Sequence, residues 1–211
     1  TFPHSTPGQL GTMPAVSLEK AKAALSEFTL VDRETMLDSF VLGSENYTKF
    51  VNEFWTAKQR QANSIHEISY RACYKPQLPN FFIDIFTKEG DTVYDPFAGR
   101  GTTLLEAALM NRKIVSNDVN PLSLILTKPR LNIPTLEQIE HRLSEINFET
   151  VKAKIDLSMF FNNDTESEIV TLKNKLLDSD IDNWIRMIST NRLTGHSAGF
   201  FSGYTLPPNQ A

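Results

Sequence analysis

Several features that identify whole classes of protein are scarce or missing in this sequence. Cys73 is the single cysteine in 211 residues, which excludes an internal disulfide framework and a cysteine-based zinc site and suits a reducing cytoplasm. No apolar run approaches the roughly 18 residues that cross a membrane, and residues 1–11 carry no secretory signal pattern. We therefore expect a cytoplasmic protein with no membrane partner.

An excess of positive charge is missing as well. The chain has 21 Lys and Arg against 25 Asp and Glu, a net charge of -4. Because phosphate neutralisation dominates affinity for nucleic acids, this balance argues against a complete DNA-binding unit but permits a local basic patch. Basic residues occur in pairs at Lys58 and Arg60, Arg71 and Lys75, and Lys128 and Arg130. We interpret each pair as solvated surface.

Residues 1–69 form the first of three predicted parts, an arm followed by a helical extension. The arm is rich in proline and glycine. Ser17 is placed to cap a helix over residues 18–28, and apolar residues recur with helical spacing from about Glu45 to Ala62. The apolar side chains of this second helix are Tyr47, Phe50, Val51, Phe54 and Trp55, and core packing explains them better than a ligand cage.

Residues 70–133 are predicted to be an α/β core. A proline-punctuated loop at residues 74–79 precedes a short apolar helix over residues 80–86. Thr92 to Tyr94 predicts a buried strand, residues 102–111 a helix and residues 113–116 a second strand, and another helix starts near Pro121. Residues 134–211 are predicted to be helical almost throughout, ending in a Gly/Pro-rich tail.

The informative segment is a glycine-rich turn between the two strands. It reads Asp95-Pro96-Phe97-Ala98-Gly99-Arg100-Gly101-Thr102-Thr103. Such a turn lets backbone N–H groups approach a polar or anionic ligand closely. Asp118 follows about 17 residues beyond Gly101, where an acid can accept hydrogen bonds from ribose hydroxyls. This context favours a nucleoside-bearing cofactor; the alternative is a structural turn in which Asp118 caps the next helix.

The choice of cofactor depends on what surrounds the glycines. A nicotinamide site prefers a third glycine where this sequence has Leu104, and the phosphate loop G-x-x-x-x-G-K-[ST] is absent. Asp95 would repel a pyrophosphate, but it suits a ligand that carries an ammonium and a sulfonium.

Together these residues resemble the S-adenosylmethionine-binding part of amino-group DNA methyltransferases, which modify adenine N6 or cytosine N4. The similarity covers Asp95 to Thr103, Glu106-Ala107, Asn111-Arg112 and Ser116-Asn-Asp-Val-Asn-Pro121, and more loosely Tyr74-Lys75-Pro76-Gln77-Leu78-Pro79. It implies a Rossmann-like α/β methyltransferase fold, with S-adenosylmethionine as cofactor and DNA as partner.

The resemblance assigns roles to individual residues. The methionine end of the cofactor would be held by two segments of the chain. These are Tyr74, Lys75 and Pro76 in the first segment, and Asp95, Pro96, Phe97, Ala98, Gly99 and Gly101 in the second. Thr102 and Thr103 would cap the helix that faces it. Asp118 would bind the ribose, and Val119, Asn120 and Pro121 would shape the adenine wall with Leu122 as a candidate contact. Arg100 would point outward or meet a phosphate. No metal ligands are expected.

The catalytic motif [D/N/S]-P-P-[Y/F/W] of this family is missing. The one Pro-Pro pair lies in Leu206-Pro207-Pro208-Asn209, where leucine cannot accept the amino-group hydrogen bond and asparagine cannot stack on a base. With only two clear strands, the sheet is expected to be incomplete. We therefore expect the cofactor-binding portion of a larger enzyme, whose catalytic motif lies in a downstream segment or a second chain, with catalytic residues unknown.

Other interpretations stay open at this stage. Arg192, His196 and Tyr204 could touch a phosphate or a base, or belong to an ordinary surface loop. The chain could serve an RNA or small-molecule methyltransferase. It could also be a non-catalytic cofactor-binding subunit of a restriction-modification assembly.

Overall fold

The computed structural model describes residues 18–30, 32–56, 62–68, 70, 73–158 and 160–193. The chain divides into two units. Unit 1 comprises residues 1–62, 74–93 and 106–114, and unit 2 comprises residues 63–73, 94–105 and 115–211. Ser17, His196, Tyr204 and the Pro-Pro segment at 206–209 lie outside the described residues.

The described chain contains four consecutive strands after its first helix, then alternating helices and strands, and helices alone after β6. The helices are α1 (Leu18–Glu27), α2 (Gln77–Phe86), α3 (Thr102–Leu109), α4 (Leu122–Thr127), α5 (Leu136–Ser144), α6 (Asn163–Lys175) and α7 (Asp180–Arg192). The strands are β1 (Thr29–Leu30), β2 (Arg33–Glu34), β3 (Met36–Leu42), β4 (Glu45–Val51), β5 (Thr92–Asp95) and β6 (Lys113–Ser116). They pair as β1–β2, β3–β4 and β5–β6. No helix in this part of the chain is long and apolar enough to span a membrane.

The predicted elements around the glycine-rich turn are confirmed. Strand β5, helix α3, strand β6 and helix α4 follow one another as expected, with Pro121 at the start of α4. The predicted burial of β5 is wrong, because Thr92 and Tyr94 are exposed. The N–H of Lys113 donates to the Asp91 carbonyl at 2.8 Å, and that of Asn117 to the Asp95 carbonyl at 2.9 Å. Because the offset between partners is the same in both bonds, β5 and β6 run parallel.

The predicted helix from Glu45 to Ala62 is wrong throughout the described residues of that range: residues 52–56 and 62 form neither helix nor strand, and residues 57–61 lie outside the described part. Residues Glu45–Val51 form strand β4, which pairs antiparallel with β3 from Met36↔Val51 to Leu42↔Glu45. Gly43 turns the chain between them at a φ of +66°, which glycine adopts without the penalty that a side chain would bring. The helical extension of the first 69 residues is thus α1, as predicted, followed by a β-hairpin.

Cross-strand pairs explain why this segment is a strand. Phe40 stacks on Tyr47 with ring centroids 5.5 Å apart, and Lys49 lies 3.6 Å from the carboxylate of Asp38. Tyr47, Thr48, Phe50 and Val51 all have high strand propensity. These contacts form with residues 36–42, so the spacing within residues 45–62 alone could not reveal them.

An aromatic cluster forms the core of unit 1. The ring of Phe28 lies 4.6 Å from that of Phe81 and 5.1 Å from that of Phe54, measured between centroids. Phe82 joins Phe54 and Phe81 at 5.5 and 5.3 Å. The core role predicted for Phe54 is confirmed, whereas Tyr47 and Trp55 of the same predicted stripe are exposed.

Unit 2 has its core among the predicted C-terminal helices. Ile146, Leu176 and Ile185 are buried together, and Ile139, Leu172 and Ile181 pack against them. The stripes predicted there are confirmed in part, because Leu136 and Leu177 are exposed. The expectation of helix almost throughout is wrong between α5 and α6, where the described residues of 145–162 form no helix.

An ion pair between Arg142 and Asp182 connects α5 to α7 in unit 2. Arg142 donates through Nε to Asp182 Oδ1 at 2.7 Å and through Nη2 to Oδ2 at 3.2 Å. The Asp182 carboxylate also accepts the Leu177 N–H at 2.7 Å, and Asp182 is only 1% exposed. A buried carboxylate with three charge-assisted bonds stabilises the local packing only while its arginine is present.

We therefore expect Arg142→Ala to lower the free energy of unfolding by about 3 kcal/mol, because it leaves a buried charge uncompensated. Lys175→Ala is the control. Its pair with Glu149 has the same 2.7 Å distance, but both side chains are about half exposed, so its loss should cost about 0–1 kcal/mol. Urea denaturation measures both, and equal losses would contradict the burial argument.

Candidate functional site

The turn between β5 and α3 depends on two glycines in the left-handed region. Gly99 has a φ of +51° and Gly101 a φ of +81°. The N–H of Ala98 donates to the Asn117 carbonyl at 3.0 Å, which ties the turn to the residue after β6. A Cβ on Gly101 would lie 2.4 Å from Cγ2 of Thr127, and one on Gly99 would lie 3.5 Å from the ring of Tyr70. Gly101 is therefore required by space as well as by conformation.

Asp95 ends β5 with one carboxylate oxygen engaged and the other free. Oδ1 accepts the N–H of Phe97 at 3.0 Å. Oδ2 is buried and has no hydrogen-bond partner among the described residues. A buried carboxylate oxygen without a donor is costly, and such groups mark places where a ligand or an ion supplies the missing donor.

Asp118 contacts the glycine turn directly. Its Oδ2 accepts the N–H of Gly99 at 2.7 Å, and its Oδ1 accepts the N–H of Asn120 at 2.8 Å. The N–H groups of Asn120 and Gly99 hold the pKa of Asp118 below its ordinary value of 3.8, although burial opposes this shift. The turn-capping role weighed as the alternative for Asp118 is thus present, and it leaves further lone pairs for a ligand.

The remaining predicted residues of this loop differ in their exposure. Ala98 and Thr102 are buried, and α3 begins at Thr102 as expected. Phe97 and Val119 are 84% and 97% exposed. Asn120 accepts the N–H of Leu122 through Oδ1 at 3.0 Å and so starts α4 together with Pro121. Unit 2 therefore brings Asp95–Thr103 and Asp118–Pro121 into one set of contacts.

Tyr74, Lys75 and Pro76 belong to unit 1, where they directly precede α2, with Pro76 buried at its N-cap. Cys73 ends the neighbouring segment of unit 2 and donates its thiol to the Tyr70 carbonyl at 3.4 Å. Arg192 is exposed at the end of α7.

The expectation for Arg100 is wrong. Its guanidinium points inward and binds groups of the chain itself. Nη1 donates to the carbonyls of His66 and Ile68 at 3.3 and 3.0 Å, and Nε donates to the Thr102 hydroxyl at 3.1 Å. The solvated interpretation fails for Arg130 too, which is 3% exposed. Burial, aided by the charge of Arg100, lowers the pKa of Arg130 to about 10. Sequence analysis missed both inward orientations because the acceptors are backbone carbonyls.

Comparison with known protein families identifies the family to which the chain belongs. The family model described as DNA methylase matches residues 17–126, more than half of the chain. The chain belongs to the DNA methylase family. The amino-group DNA methyltransferase resemblance found in the sequence is confirmed. A second model, described as an RMKL-like methyltransferase domain, matches residues 85–176.

Curated relatives of this chain include bacterial and archaeal enzymes. The type II methyltransferase M.BsoBI of Geobacillus stearothermophilus is 32% identical over 123 residues, which cover 53% of the chain and 24% of the relative. M.MjaII of Methanocaldococcus jannaschii is 24% identical over 123 residues, 58% of the chain and 22% of the relative. The tRNA (guanine(10)-N2)-dimethyltransferase of that archaeon is 27% identical over 111 residues, 45% of the chain and 31% of the relative. The matched segments span about a quarter of these relatives, and no solved structure matches.

Gly101→Ala should destabilise the chain more than Gly90→Ala. Both glycines have a φ near +80°, but nothing lies within 4 Å of a Cβ on Gly90. We expect about 1 kcal/mol for the strained backbone at Gly90, and about 1–3 kcal/mol more at Gly101 from the overlap with Thr127. Thermal and urea unfolding measure the difference; equal losses would show that Thr127 yields freely.

Acid should remove the stabilising contribution of Asp118. The pKa of Asp118 is lower in the folded chain than its ordinary value of 3.8. The stabilisation by this carboxylate is therefore fully present above its ordinary pKa, and it is lost as the pH falls through the lowered pKa of the folded chain. The stability difference between the wild type and Asp118→Asn should therefore shrink below about pH 4. Urea unfolding across pH 3–7 checks this, and a constant difference would contradict it.

Proposed function

We propose that this chain is the cofactor-binding portion of a DNA methyltransferase that uses S-adenosylmethionine to methylate an exocyclic amino group of adenine or cytosine. Family membership supports the class of enzyme. The observation that carries the cofactor assignment is the buried, unpartnered Oδ2 of Asp95 beside the glycine turn.

The chemistry of S-adenosylmethionine fits the groups at the end of β5. Its α-ammonium would supply the donor that Asp95 Oδ2 lacks, and Phe97, Ala98, Gly99 and Gly101 would enclose the methionine end. When bound, the cofactor supplies an electrophilic methyl group on a sulfonium. A carboxylate at this position favours such a cation over the pyrophosphate of a nicotinamide cofactor.

The segment after β6 is suited to the nucleoside. Asp118 keeps unused lone pairs for ribose hydroxyls after accepting the bonds from Gly99 and Asn120. Val119 is apolar and almost fully exposed, which suits it to contact an adenine ring. Asn120 and Pro121 fix the start of α4 and would shape the adenine wall, while Thr102 and Thr103 would orient the start of α3. The roles of Tyr74, Lys75, Pro76 and Pro96 rest on the sequence resemblance.

The fold we propose is a Rossmann-like α/β sheet of which the chain contains a part, with the core at residues 70–133 between the flanking parts 1–69 and 134–211. The parallel β5–β6 pair with α3 between its strands supports this. Tyr94 on β5 and Val115 on β6 are at least half exposed, as expected for strands that further layers would cover.

The catalytic groups of this enzyme are proposed to come from another segment or a second chain. No Asp-, Asn- or Ser-Pro-Pro-aromatic sequence occurs in these 211 residues. DNA is the proposed substrate, in a restriction-modification setting and in the cytoplasm. The archaeal tRNA methyltransferase among the relatives makes an RNA amino group the second candidate.

Calorimetric titration tests the cofactor assignment. We expect S-adenosylmethionine and S-adenosylhomocysteine to bind the wild type and NAD not to bind. Asp95→Asn should weaken binding about tenfold by removing a charged hydrogen bond. Its unfolding free energy should stay equal or rise, because an unpaired buried charge is removed.

Asp156→Asn is the matched control. Asp156 accepts the N–H of Ser158 at 2.9 Å in a turn like that of Asp95, outside the motif, so its cofactor affinity should be unchanged. Failure of a folded wild type to bind either adenosyl compound would overturn the proposal. Methyl transfer to DNA or to tRNA, after a chain with the missing motif is added, would decide between the two substrates.

A further inference from the structure

Two arginines converge on one short stretch of backbone in unit 2. Arg100 donates to the carbonyls of His66 and Ile68, and Arg130 donates through Nη1 to the carbonyl of Ile65 at 3.0 Å. Three carbonyls of the 64–68 segment therefore accept from two guanidinium groups. The side chain of Ile68 is itself buried with Leu126 and Met187, so the segment is held by its backbone and by its apolar side chain.

Arg130 also binds the glycine turn. Its Nη2 donates to the carbonyl of Arg100, the residue between Gly99 and Gly101, and its Nε donates to the Leu126 carbonyl of α4 at 2.7 Å. The ring of Tyr70, two residues after the 64–68 segment, lies against Gly99. One side chain thus joins the segment, the turn and α4, which are far apart in sequence.

Neither guanidinium has a carboxylate at ion-pair distance among the residues that the structure describes. Buried arginines are normally paired with an acid, since burial of a charge is costly. Here the planar fork of donors is satisfied by carbonyls, and a lysine could not reach several diverging acceptors in the same way. Such an arrangement fixes geometry at some cost in stability, which is the pattern of a functional site.

We propose that Arg100 and Arg130 are positioning residues, which hold the 64–68 segment and Tyr70 against the glycine turn and so keep Asp95 and Gly99 in the geometry that the adenosyl cofactor requires. This proposal rests on the proposed function. It predicts an effect on cofactor affinity that is larger than the effect on overall stability.

Arg100→Lys and Arg130→Lys test it, with Arg186→Lys as the matched control. Arg186 binds backbone in the same way, donating through Nη2 to the Leu176 and Leu177 carbonyls at 3.0 and 2.9 Å, but it lies on α7 outside the motif. Urea unfolding ranks the variants by stability, and calorimetry with S-adenosylhomocysteine measures affinity. We expect Arg100→Lys to raise the Kd about tenfold, while Arg186→Lys of comparable stability leaves it unchanged.

Hydrogen exchange separates this proposal from the proposed function. The N–H groups of Ala98, Gly101 and Ile68 donate to the carbonyls of Asn117, Ala98 and His66. Their hydrogen exchange should accelerate at least tenfold in Arg100→Lys but not in Arg186→Lys. If the wild type binds no cofactor, the proposed function fails and exchange still tests the positioning. Unchanged exchange, or unchanged Kd in a folded Arg100→Lys, overturns the positioning. Should Arg130→Lys fail to fold, Arg100→Lys decides.

Discussion

The hydrogen bond from the Gly99 N–H to the Asp118 carboxylate is the constraint on which the candidate site depends. At a length of 2.7 Å, it joins the turn after β5 to Asp118, which lies two residues beyond the end of β6. The acceptor is charged and the donor belongs to a backbone conformation that glycine alone adopts cheaply, so the bond is strong and specific. The Ala98 N–H to Asn117 carbonyl bond repeats the connection one residue away. Together they fix where Asp95 and Phe97 stand relative to Val119.

The region around the glycine turn contains several features that are unfavourable for the stability of the fold. Two left-handed backbone positions, an unpartnered carboxylate oxygen and a buried arginine with only carbonyl partners occur within one region. Each would be removed by selection for stability alone, and together they are the kind of local inconsistency that proteins keep where a ligand is bound. The aromatic cluster of unit 1 and the Arg142–Asp182 pair have no such unsatisfied groups, and they account for packing without invoking function.

Sequence patterns were sufficient wherever the determining interactions are local. Strands β5 and β6, the turn between them and the starts of α3 and α4 were all predicted, because glycines, β-branched residues and Pro121 act on their own backbone. The helix predicted from Glu45 was wrong because Tyr47, Phe50 and Val51 satisfy helical spacing while their cross-strand partners lie in residues 36–42. The predictions for Arg100 and Arg130 were wrong for a related reason. The charge of an arginine predicts an acid, a phosphate or water as its partner, and the sequence does not show that its acceptors are backbone carbonyls.

The way this site is built explains why its motif can be identified at all in a chain that matches only about a quarter of its relatives. Most of the contacts that shape it are made by main-chain atoms: N–H groups meet Asp95 and Asp118, and carbonyls meet Arg100 and Arg130. Main-chain groups are the same whichever residue carries them, so the surrounding sequence is free to vary. The residues that cannot vary are those that select the backbone conformation or supply the opposite charge, namely glycine, aspartate and arginine. A short motif of these residue types therefore carries the identity of the site.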